Sequence, residues 1–202
     1  MSRGNTRQRI QDVALELFAE RGYEKTSLRE IAEQLGVTKA ALYYHFKTKE
    51  DLLTSLFEDM VLGPADEVIA WAKAHQPSRL ETKLEILSRY SACISNATPL
   101  VRFMHENQAA LRDLAIGEQM KERMFLLLGL IKDENAALTD QVRCSSALFT
   151  MHSSLFTLEG TKADPEEKRK AALEVAQELV TAAHHGSGDT PPGRETGSAR
   201  HE

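Results

Sequence analysis

From Ile10 to Val61, apolar side chains return every three or four positions, the period of helices that each bury one face. Ile10, Val13, Ala14, Leu17 and Phe18 form one stripe. Ile31, Ala32 and Leu35 form a second, Leu42 and Phe46 anchor a short third, and Leu52, Leu53, Leu56, Phe57, Met60 and Val61 make a fourth. Polar residues punctuate these stripes. Ser27 and Glu30 have the spacing of a capping box, Gly36 suits the left-handed residue that ends a helix, and Thr38 and Thr48 stand where the next N-caps are needed. Gly63-Pro64 is expected to interrupt or kink the fourth helix, because proline lacks a backbone donor and crowds the preceding turn. The helix then resumes until His75-Gln76-Pro77.

The same signals continue through the rest of the chain. Ser78 with Glu81, Thr98-Pro99, and Asp164-Pro165 with Glu167 mark helix starts. They predict helices over 78–95, 99–114, 117–133, 138–160 and 164–184. The pattern describes an all-α chain of about nine helices, divided into a three-helix head over 1–47 and a helical body over 48–185. The stretch 186–202 is rich in Gly, Ser, Thr and Pro and has no apolar side chain beyond Ala199, so it is expected to be a disordered tail.

Two short helices over 27–46 joined by a tight turn are a helix-turn-helix, which points to duplex DNA. The second helix leaves Thr38, Lys39, Ala40, Tyr43 and Tyr44 for its outer face. Lys39 has the chemistry to donate to a guanine edge or to a phosphate. Ala40 and Ala41 are small enough to let the helix lie deep in the groove and touch thymine methyls. Tyr43 and Tyr44 offer hydroxyls to phosphates, and Tyr43 also reaches toward base edges. The alternative for Tyr44 is packing against the first helix. His45 and Lys49 are placed for the phosphate backbone, Lys49 with help from the dipole of the fourth helix, and Ser27 for the same task at its own helix start.

Charge changes the picture when it is divided by region. The net charge of −5 looks wrong for a DNA binder, yet residues 1–57 hold nine Lys or Arg against eight Asp or Glu, and the excess acid lies beyond them. Arg3, Arg7, Lys25, Arg29, Lys39, Lys47 and Lys49 supply local positive charge near the motif, which is what phosphate contacts require.

These residues resemble the tetracycline-repressor (TetR) family of bacterial transcription regulators. The likeness is carried by Phe18-Ala19-Glu20-Arg21-Gly22-Tyr23, the Thr26-Ser27 entry, and Leu42-Tyr43-Tyr44-His45-Phe46-Lys47-Thr48-Lys49-Glu50-Asp51-Leu52-Leu53, about the first quarter of the chain. It implies that Ser27, Thr38, Lys39, Ala40, Ala41, Tyr43, Tyr44, His45 and Lys49 occupy DNA-contacting positions. It also implies a homodimeric repressor on a palindromic operator of double-stranded DNA, released by a small-molecule effector that shifts the fourth helix.

The body offers two further expectations. An apolar seam of Leu173, Ala176, Leu179, Val180 and Ala183 faces a preceding helix with Phe149, Phe156 and several serines, and small residues permit close helix approach. Two such helices from each of two subunits would form a four-helix interface. The other possibility is that both close the chain's own core. For an effector, expected to be aromatic or lipophilic, the large or polar-tipped candidates are Trp71, Phe103, Met104, His105, Met120, Met124, Phe125, Met151, His152 and Phe156.

Composition sets limits on these readings. A chain of 202 residues with 42% hydrophobic content can bury a sizeable core. Its longest apolar run, Phe125 to Ile131, is far shorter than the roughly 20 residues of a membrane span, so no membrane partner is expected. The N-terminal stretch lacks a signal peptide's apolar core, and a cytoplasmic location is expected. Cys93 and Cys144 are expected to be core thiols. No His-Glu-x-x-His, Cys-x-x-Cys or Gly-x-Ser-x-Gly occurs, so neither catalysis, a metal nor a cofactor is expected. The rival is a DNA-binding regulator without a small-molecule effector, constitutive, protein-controlled or activating.

Overall fold

The computed structural model describes residues 3–107 and 115–186. The described elements are α1 (Arg3–Arg21), α2 (Leu28–Leu35), α3 (Lys39–His45), α4 (Lys49–Phe57), a π-helical turn (Glu58–Leu62), α5 (Gly63–Ala74), α6 (Leu80–Asn96), α7 (Thr98–Glu106), α8 (Ile116–Ile131), α9 (Leu138–Thr157) and α10 (Pro165–Gly186). All are helical. Because α4, the π turn and α5 run on without a break, the described chain makes nine rods. The second half of the helix expected over 99–114 and the tail beyond Gly186 lie outside the described residues.

The caps explain where the head's helices begin. At Ser27 both halves of the capping box form: the Glu30 N–H donates to the Ser27 Oγ at 3.3 Å, and the Ser27 N–H donates to Glu30 Oε2 at 2.8 Å. Gly36 ends α2 at φ 70°, a conformation that costs a Cβ-bearing residue free energy. Thr38 caps α3 and Thr48 caps α4, the latter in a second capping box with Asp51.

Gly63-Pro64 follows a π-helical turn in the long helix. The Gly63 N–H donates to the carbonyl of Glu58, five residues back, so the turn widens instead of breaking. Pro64 then occupies the first turn of α5, where its missing donor is harmless. A Cβ on Gly63 would lie 3.0 Å from the Glu58 carbonyl. Within the wide turn, Asp59 accepts from Arg7 at 2.9 Å and from Gln11 at 2.7 Å, tying α1 to it.

Two apolar clusters divide the interior. The first joins the apolar faces of α1 to α4 with Leu100, Phe103 and Ile116. A boundary at 47/48 therefore does not separate packing: Leu52, Leu53, Leu56 and Phe57 point back into the head's cluster, and α7 contributes to it too. The second cluster joins α5, α6, α8, α9 and α10. Within the body Lys83, 1% exposed, donates to Asp133 at 2.6 Å, with His184 Nδ1 at 3.4 Å from the ammonium. At the end of α10, Gly186 passes so close to Asp140 that a Cβ would lie 2.9 Å from its carboxylate. No helix among the described residues is long and apolar enough to cross a membrane.

Candidate nucleic-acid interface and body cleft

Every large apolar or aromatic side chain from Ile10 to Phe46 belongs to the head's cluster or packs against it, with one exception. That exception is Tyr44, 66% exposed on α3. The alternative in which it packs on α1 is not what the structure shows. Leu42 and Phe46, buried at 0% and 3%, fix the roll of α3 and turn Lys39, Ala40 and Tyr44 to the outside. Ala41, Tyr43 and His45 flank them, half-buried. The Lys39 ammonium lies 5.3 Å from the Tyr43 ring centroid, and the Tyr44 and His45 rings meet edge-on at 5.3 Å. Thr38 is exposed, but its hydroxyl accepts from the Ala41 N–H at 3.2 Å.

Two of the expected phosphate contacts are engaged within the chain. The Ser27 hydroxyl donates to Glu30 at 2.7 Å while accepting from the backbone, so the cap uses its only proton. These bonds hold the Glu30 carboxyl below its usual range. Lys49 is half-buried; its ammonium donates to the Tyr23 carbonyl at 2.6 Å and sits 4.1 Å above the Tyr23 ring. Lys47, between α3 and α4, is exposed and donates to the Tyr43 carbonyl at 2.9 Å. Arg7, read from sequence as part of the basic patch, is committed to Asp59, with its guanidinium 5.4 Å from the Phe46 ring centroid.

The body residues chosen for a ligand do not converge. Phe103 and Met151 line a cleft of about 570 Å³ between α6, α7, α9 and the start of α10. Phe156 meets His105 at a tilt, ring centroids 4.5 Å apart. Met104 and Met120 pack against the head's cluster, Met124 against the body's, and Phe125 is 62% exposed. Trp71 lies between His75, at 4.4 Å, and the Arg89 guanidinium, at 4.2 Å. His152 meets the Tyr90 hydroxyl at 2.9 Å, and burial pushes the imidazole pKa down and the phenol pKa up.

Sequence reasoning missed the polar wall of the cleft: Ser91, Ser95, Thr98, Arg102, Glu106, Glu159, Lys168 and Arg169. A signal was available in the helical spacing of Ser91, Ser95, Thr98 and Arg102, which places hydroxyls and a cation along one side of consecutive helices.

The seam expected between subunits also divides. Ala176, Val180 and Ala183 are at most 4% exposed within the chain's own core, so they have no surface left to offer a partner. Leu173 and Leu179 pack half-buried against the same cluster. Phe149 is 75% exposed and continues a stripe with Leu138 at 76% and Val142 at 54%, with the exposed Ser145 between.

Residues 10–56 match the family described as bacterial regulatory proteins, tetR family. Among curated relatives, the HTH-type transcriptional regulator AcrR of Shigella flexneri is 55% identical over 53 residues, covering 26% of this chain and 25% of that protein. A probable acrEF/envCD operon repressor of Escherichia coli strain K12 is 31% identical over 126 residues, covering 57% of this chain and 56% of its own length. Thus the chain spans between a quarter and just over half of these relatives' length. AmtR of Mycobacterium smegmatis shares the fold more fully, with TM-score 0.64 and 23% identity over 92% of this chain and 96% of that one. The head thus matches the tetR family of bacterial regulatory proteins by sequence over residues 10–56, and the chain as a whole shares the fold of AmtR.

Proposed function

We propose that the chain is a sequence-specific DNA-binding transcriptional regulator, acting as a homodimeric repressor that leaves a palindromic operator when a small molecule occupies the body. The outer face of α3 carries this reading. On a head whose other large apolar side chains join its cluster or pack against it, Lys39, Ala40 and Tyr44 stand free of the core, and small side chains at Ala40 and Ala41 allow close approach to a major-groove floor. Tyr43 reads bases from the edge of that face. Lys47, exposed at the end of α3, joins the phosphate contacts, and Lys49 reaches a phosphate by exchanging its bond to the Tyr23 carbonyl.

A dimer is supported by the stripe Leu138, Val142, Ser145 and Phe149 on α9, and Val175 of α10 is 45% exposed as well. One face holding three exposed large apolar residues at helical spacing is what a monomer avoids and a partner covers. Two heads then enter successive major grooves about 34–36 Å apart, or a multiple of this, and a change in that spacing changes affinity.

Selection of bound fragments from genomic DNA, followed by footprinting at fixed salt, tests the proposal. A shared palindrome protected by dimers is expected. Salt-sensitive binding with no common sequence would overturn it.

A further inference from the structure

We propose that the cleft between α6, α7, α9 and the start of α10 binds an anionic amphiphile, its carboxylate seated by Lys168 and Ser91 and its apolar body lying on Ile94, Phe103, Met151 and Leu155. This rests on the reading of the chain as an effector-controlled regulator, and it names the chemistry of that effector.

The volume of about 570 Å³ is that of a small-molecule site. Its floor is apolar, and its polar groups are unevenly committed. Arg169 is held in place, with two bonds of 2.7 Å to Glu166 and one of 3.2 Å to the Ser91 hydroxyl. Those bonds keep Glu166 charged down to a pKa of about 2. Ser91, 3% exposed, thus accepts from Arg169 while its own proton has no acceptor among the described residues. Lys168, half-buried on the same wall, has an ammonium with no ion pair or hydrogen bond among the described residues. A buried hydroxyl with an unused proton and a half-buried cation without a counter-ion, above an apolar floor, are complementary to a carboxylate carrying a hydrocarbon body. On α7, Arg102 already pairs with Glu159 at 3.3 Å and Glu106 adds a carboxylate to the lining, which leaves the wall of α10 as the cationic pole.

The position also provides a route to the head. Ala19 of α1 forms part of the cleft wall. Phe103 lines the cleft on one side, and on the other stacks on Phe18 at 5.7 Å and meets Tyr23 edge-on at 6.1 Å. Tyr23 supplies the carbonyl that holds Lys49. A body wedged against Phe103 therefore acts on α1 and on the entrance to α4 together.

Isothermal titration calorimetry on the full chain without DNA tests this, with decanoate and the uncharged decanol as probes. Decanoate is expected to bind once per chain, about tenfold more tightly than decanol. Lys168→Gln should remove that preference while leaving decanol binding unchanged. Ser95→Phe, which adds bulk on an exposed part of the wall, should abolish both with the melting temperature preserved. No heat from decanoate up to about 1 mM, equal affinity for the two probes, or indifference to Lys168→Gln or to Ser95→Phe overturns the proposal. Decanoate binding that shows these dependences but leaves operator affinity unchanged would keep the site and defeat the effector reading. Operator binding without decanoate binding would do the reverse.

Discussion

Between Ile10 and Phe46 the large side chains sort cleanly, inward to one cluster or, at Tyr44, outward. Along α9 they do not: Leu148 and Met151 are buried in the chain's own core, while Leu138, Val142 and Phe149 lie on another face, exposed. In the head, α2 and α3 are only eight and seven residues long, and one apolar stripe accounts for each helix. By contrast, α9 packs on α6, α8 and α10 and still has a large apolar surface to spare. An exposed side chain carries different information in the two places. On α3 it is a polar-tipped ring on a face suited to a groove, and on α9 it is a hydrocarbon face suited to another helix.

Substitution on the outer stripe of α9 is the severest test of this contrast. Phe149→Glu is expected to give monomers by sedimentation and to weaken operator binding on the order of 100-fold or more, since the linked second head no longer contributes. Its melting temperature should change little, because Phe149 is 75% exposed in the single chain. A dimer that survives would place the interface elsewhere.

The body's interior should respond in the opposite sense. Lys83→Ala leaves Asp133 without its 2.6 Å partner inside the body and should cost about 3 kcal/mol in urea unfolding. Unchanged stability would mean that the pair contributes nothing over water.

Within the head, Tyr43→Ala should cost about 1–2 kcal/mol on the selected site and much less on random DNA, as a base-reading contact requires. Lys49→Ala should weaken both DNAs alike and flatten the salt dependence. Equal losses on the two DNAs for Tyr43→Ala would reassign that ring to positioning. Ser27→Ala removes a cap and should cost about 1 kcal/mol of stability.

The smallest expected effect is a pH dependence from the body. Burial depresses the pKa of His152, so the unfolded chain binds a proton more readily than the folded one. Its contribution to stability is complete above the unfolded value of about 6.5 and is lost as pH falls through the folded value. His152→Gln should remove that part of the acid-side slope in urea titrations between about pH 7 and 5. An unchanged slope would show that His152 is protonated equally in both states.

Legibility followed the range of the interactions involved. Ser27, Glu30, Gly36, Thr38 and Thr48 act over three or four residues, and the caps expected of them form where the pattern put them. The sequence marked Gly63-Pro64 as a disturbance of the helix but not as a π turn, and it did not show that Arg7 and Gln11 of α1 meet Asp59 in that turn. The cleft was hardly visible at all. Its walls come from four body helices and Ala19, and only Phe103 and Met151 stood out by residue type.

Local periodicity and caps, then, are enough by themselves to set the helices, their order and the presence of a helix-turn-helix, since those depend on contacts within a turn or two of the chain. The tertiary structure alone decided which of two apolar faces on α9 is spent inside the subunit. It also turned Ala176 and Val180 inward, bound Lys49 to Tyr23, and left Lys168 and the Ser91 proton without partners among the described residues on a cleft wall. The reason is physical: a helical stripe records that a face is apolar, but what covers that face is fixed only when helices distant in sequence meet.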